Sequence, residues 1–169
     1  MTTRFQATVK VPASPQQVFE LLTDPARHSE FDATGMVGQP ACPARLTRIG
    51  QVFVMNMTYR DGRRIEHYQS DNHVIALEPP RAVAWTTATH DGDPLGWQWR
   101  YDVEPAHDGA VVTLTYDWAD APPENIRRFG VPLTDAAGLA RSLRLLSEAS
   151  EGRSSRHARV PHARPPARG

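Results

Sequence analysis

The chain has 169 residues, of which 40% are hydrophobic and 22% charged, a length and balance that suit one globular domain with an ordinary core. Its formal net charge of zero is the sum of two unlike parts, because residues 151–169 carry five arginines against Glu151 alone and leave fourteen basic and eighteen acidic residues before them. A mildly acidic body gives no electrostatic reason to expect nucleic acid, and a basic, Pro-rich end this short is no folded reader of bases.

The single cysteine, Cys42, has no partner for an internal disulfide, and the prolines beside it read as a loop around a spectator thiol. No apolar run approaches the ~18 residues of a membrane span, and the first residues lack the apolar core of a signal peptide. A cytoplasmic protein without a membrane span is the expectation.

In chain order, Phe5, Ala7, Val9 and Val11 alternate with polar residues, the period of a half-buried strand. Ser14 then offers a helix cap with Pro15 at the first helical position and Gln17 three residues on, followed by the apolar Val18, Phe19, Leu21 and Leu22. A short helix is predicted there, and a second brief one from Pro25 to about Phe31. Residues 32–50 hold three glycines and two prolines with little periodicity, which predicts a long loop with at most one short strand around Arg45 to Arg48.

Phe53, Met55, Met57 and Tyr59 resume the strand period, and Asp61-Gly62 marks a hairpin into a strand spanning 65–77. The facing of that strand is open: one phase carries His67, Gln69, Asp71 and His73, the other Tyr68 and Val74. After Pro79-Pro80 come Val83, Trp85 and Thr87. Beyond the turn at His90 to Pro94, Leu95, Trp97, Trp99, Tyr101 and Val103 alternate strictly, and beyond His107-Asp108-Gly109 so do Val112, Leu114, Tyr116 and Trp118. Strands joined by such turns are antiparallel neighbours.

Residues 119–131 read as a connection. From Pro132 to Ala149 the pattern becomes helical, with Ala136, Leu139, Leu143 and Leu146 on one side and Arg141, Arg144 and Glu148 on the other. A lone long amphipathic helix must bury its stripe against the preceding strands, so the sheet should wrap it. The domain is therefore expected over 1–150, with 151–169 a disordered basic Pro/Arg-rich tail.

This order of elements resembles the helix-grip fold of the START/Bet v 1-like superfamily, also called SRPBCC, and its polyketide cyclase/dehydrase-like group. The residues that carry the resemblance are Ala7 to Pro25, similar to that group's opening strand and helix, and Leu77-Glu78-Pro79-Pro80-Arg81-Ala82-Val83-Ala84-Trp85, similar to its Pro-Pro-Arg turn. It spans about residues 3 to 150. It departs at Phe31-Asp32-Ala33-Thr34-Gly35, where the group's aromatic-rich segment carries a Trp. The resemblance implies an α+β domain, a curved antiparallel sheet of six or seven strands around the C-terminal helix, with an apolar chamber between them for a hydrophobic small molecule. It does not imply one activity, since function resides in the site.

If the apolar phases face the helix, the chamber is lined by Phe53, Met55, Met57, Trp85, Trp97, Trp99, Tyr101, Leu114 and Tyr116, with Leu139 and Leu143 from the helix. Aromatic walls with adaptable methionines suit an apolar ligand, although the same stripes also make a dry core. For proton transfer the candidates are His67, Tyr59 and Tyr101, with Gln69, Asp71, His73 and Asp117 behind them. His67 and His73 are too far apart along one strand to share a metal, and no Gly-rich phosphate loop, His-Glu-x-x-His or Gly-x-Ser-x-Gly is present. No metal or cofactor is expected. Three readings follow: a carrier of a hydrophobic aromatic, polyketide or lipid-like molecule; a cyclase or dehydratase of the same fold; and a protein-interaction module using the convex sheet face or the tail.

Overall fold

A computed structural model describes residues 1–157. Seven strands form one antiparallel sheet: β1 (Arg4–Val11), β2 (Val37–Pro40), β3 (Val52–Arg60), β4 (Ile65–Glu78), β5 (Ala82–Thr89), β6 (Pro94–Ala106) and β7 (Gly109–Asp117). Their order is β1-β7-β6-β5-β4-β3-β2, so hairpins build the sheet from β2 to β7 and β1 closes its far side. Register slips at Val37/Pro40, Val74/Ala76 and Thr86/Ala88 break the ladders. Each such irregularity bends its strand, which curls the sheet.

The Asp61-Gly62 hairpin and the alternating burial of β1, β6 and β7 follow the sequence pattern. Register also resolves the facing of β4. Met55 pairs with Ser70 and Phe53 with Asn72, so the even phase joins the concave face and His67, Gln69, Asp71 and His73 take the convex one.

Helix α1 (Pro15–Leu22) starts at Ser14, whose hydroxyl accepts from the Gln17 amide while the Gln17 side chain accepts from the Ser14 amide. A 3-10 helix follows over Pro25–Phe31. The short strand lies at Val37–Pro40 and not at Arg45 to Arg48. There Leu46 N–H bonds the Thr23 carbonyl, and the Gln51 side chain accepts from Thr47 N–H and donates to the Arg45 carbonyl, so these backbone groups are taken by loop contacts and not by a ladder.

The supposed connection 119–131 contains α2 (Pro123–Phe129), which ends in a left-handed Gly130 at φ 68°. The last helix, α3 (Ala136–His157), begins after Pro132, because Asp135 Oδ1 accepts from Gly138 N–H and caps it there. It runs on to His157, into the tail expected over 151–169, and the rest of that tail lies outside the described residues. Leu139, Leu143 and Leu146 are fully buried on the side facing the curled sheet, and α3 packs on β1, β7 and the 3-10 helix.

Candidate functional site

The strand residues expected to line a chamber belong with Leu139 and Leu143 to one packed core, and none of these eleven residues is in the lining of the open cleft described below. Trp85 sits 5.4 Å from Phe53 and 5.9 Å from Tyr101, and Trp99 stacks on Tyr116 at 4.1 Å with ring planes 7° apart. Trp97 packs against Phe129 of α2 at 5.5 Å. Phe53, Met55, Trp85, Trp97, Tyr101, Leu114, Tyr116, Leu139 and Leu143 are all buried, while Met57 and Trp99 are half-buried.

At the centre of this aromatic set is a residue that periodicity did not single out. His28, on the 3-10 helix, stacks on Trp85 at 5.1 Å and lies near Phe31 and Phe53. Its Nε2 is 2.8 Å from the Leu22 carbonyl, a group that the end of α1 leaves without a helical partner. Nε2 therefore carries the proton and donates. Burial lowers its pKa to about 4 against the smaller opposing effects of that hydrogen bond and Asp24, so the ring is neutral at physiological pH. The only sequence signal was its place three residues after Pro25 in a weakly marked helix.

An open cleft of about 720 Å³ lies where the loop after the 3-10 helix, the end of β3, the start of β1 and the approach to α3 converge. Phe5, Ala33, Met36, Pro132 and Leu133 give it an apolar part, and Thr34, Thr58, Tyr59, Thr134, Asp135, Arg60 and Arg141 a polar one. A cleft of that volume falls in the range used for small-molecule ligands. The loop is built for its position: Asp32 accepts from Thr34 and Val37 N–H, and Ala33 N–H bonds Ser142 Oγ on α3. Among the residues singled out from the sequence, Tyr59 lines the cleft.

The whole sequence from residue 2 to 151 matches the family described as polyketide cyclase / dehydrase and lipid transport. The chain belongs to that family. The Mycobacterium tuberculosis protein Rv0088 is 30% identical over 152 residues, which cover 86% of this chain and 63% of that protein. The chain thus spans less than two thirds of the length of this relative. Among solved structures, NE0264 of Nitrosomonas europaea is similar with a TM-score of 0.65 at 12% identity, covering 90% of this chain and 97% of that one. Ms6760 of Mycobacterium smegmatis is similar with a TM-score of 0.63 at 17% identity, covering 90% and 93%. These likenesses show the fold.

In this member of the family the other proton-transfer candidates take separate places. His67 is exposed on the convex face, with Nδ1 3.1 Å from Thr58 Oγ1. Tyr101 is buried beside Phe31 and Trp85, and burial, helped by the nearby Asp32 charge, pushes its phenol pKa well up. Asp71 accepts from His90 Nδ1 and from Asp91 N–H on the convex side, and Asp117 accepts from Ala119 N–H in its turn. Tyr116 is pushed up to about 12 by burial, with its hydroxyl accepting from Leu133 N–H at the edge of the cleft. No helix among the described residues is long and apolar enough to cross a membrane.

Proposed function

We propose that this domain binds a small, largely apolar molecule of the aromatic, polyketide or lipid class in the cleft between the 33–36 loop, the end of β3 and the approach to α3. The observation that carries the reading is the cleft itself, whose volume of about 720 Å³ is shared between an apolar set, Phe5, Met36, Pro132 and Leu133, and a ring of hydroxyls. Binding is favoured over turnover because, among the described residues, the one carboxylate of the lining, Asp135, is engaged as the cap of α3, and no histidine or cysteine lines the cleft. The free Cys42 and the family assignment suit a cytoplasmic carrier.

Titration with the neutral fluorophore N-phenyl-1-naphthylamine tests this. The wild-type protein should enhance its fluorescence saturably, and Ala33→Trp, which fills the cleft, should abolish the enhancement while the urea midpoint stays in place. A charged substitution, Met36→Glu, should weaken it in the same way. Unchanged binding by both variants would place the ligand elsewhere in the fold.

A further inference from the structure

Arg60 and Arg141 line the same cleft from opposite elements, the end of β3 and the second turn of α3. Among the described residues neither guanidinium has an ion pair or a hydrogen bond, although acidic groups lie close in sequence to both. At the hairpin the acids are taken: Arg64 lies 3.4 Å from Asp61 and 3.8 Å from Glu66, and Asp61 also accepts from the Arg63 and Arg64 amides. At the helix, Asp135 is committed to Gly138 N–H, and the positions three and four residues from Arg141 are Ala137, Gly138, Arg144 and Leu145, none of them acidic. Two arginines border one volume against the single Asp135 carboxylate, with which neither of them pairs, so the lining among the described residues is left net positive. Arginine presents a planar fork of donors that matches a carboxylate, and it keeps its charge at any physiological pH.

From this the geometry points to an anionic amphiphile as the cleft's ligand, a single apolar chain or ring system ending in a carboxylate. The inference rests on the cleft reading above. The carboxylate engages Arg60 and Arg141 at the polar side, with the Tyr59 and Thr134 hydroxyls as further donors, and the apolar body covers Phe5, Met36 and Leu133. Both arginines are exposed, so the attraction is open to screening by salt, and an exposed pair gains less than a buried one.

The test compares decanoate with 1-decanol, two probes of equal chain length, by displacement of N-phenyl-1-naphthylamine from the full chain at neutral pH. Decanoate should bind about tenfold tighter than decanol. Arg60→Gln and Arg141→Gln should each lower decanoate affinity severalfold and leave decanol unchanged, and added salt should weaken decanoate alone. Equal affinities for the two probes, or arginine variants that weaken both alike, would overturn the anionic assignment while the cleft reading stood. Failure of either probe to displace the fluorophore, with Ala33→Trp binding it as wild type does, would overturn the cleft reading and this inference with it.

Discussion

Acid should loosen this fold through His28. The ring is buried against Trp85 and holds its proton on Nε2, so a second proton would place an unpaired cation among aromatic faces. Its pKa is about 4 in the folded protein against 6.5 for an unburied imidazole. Between those values the unfolded chain binds a proton that the folded chain refuses. The contribution is therefore fully present above the unfolded value, is lost as pH falls through it, and levels off below the folded value. The whole separation is worth ~3 kcal/mol, of which about 2 kcal/mol is lost between about pH 7 and about pH 5.

Urea unfolding followed by tryptophan fluorescence across that range measures it, with His28→Phe as the comparison. The variant gives up the hydrogen bond to the Leu22 carbonyl, which costs about 1 kcal/mol at neutral pH, and its stability should then be flatter with acid by about 2 kcal/mol. Wild type and variant losing the same stability on acidification would refute the reasoning, since some other group would then carry the proton uptake.

Three further outcomes follow from the geometry. Leu143→Ala, which empties a fully buried site on the inward side of α3, should lower the unfolding free energy by about 3 kcal/mol in urea melts; a loss below about 1 kcal/mol would mean that the helix does not seal the core. Gly96 has φ +100°, and a Cβ there would lie 2.4 Å from both Ala121 Cα and Asp120 O. Gly96→Ala should therefore lower Tm by roughly 5 °C or more in a calorimetric scan, against an unchanged Tm if β6 and the 120–121 segment did not meet. In histidine NMR titrations His90 should titrate above the usual imidazole value, because its Nδ1 hydrogen-bonds to Asp71, and Asp71→Asn should bring it down. That contribution has the opposite sign to that of His28: it is present at low pH and fades as pH rises through the folded pKa.

Local rules wrote most of the fold into the sequence. Ser14-Pro15 with Gln17 set the start of α1, Asp61-Gly62 set the β3–β4 hairpin, and strict alternation in Leu95 to Val103 set the inward row of β6, because caps, turns and pleats depend on residues within a few positions of each other. Tertiary contact decided what those rules left open. The phase of β4 was chosen by its pairing with β3, which put His67 outside and Asn72 inside, and the hidden helix α2 became legible only where Ile126 and Phe129 found the core.

The cleft was still less legible. Phe5, Met36, Arg60, Leu133 and Arg141 come from five separate segments and share no spacing, and the packing of the sheet, the 33–36 loop and α3 brings them to one volume. His28 makes the same point from the interior. The sequence by itself determined the order of elements and their apolar faces, since each follows from neighbours along the chain; which aromatic residues fill the core and which side chains border open space was decided by the curvature of the sheet, a property of seven strands together.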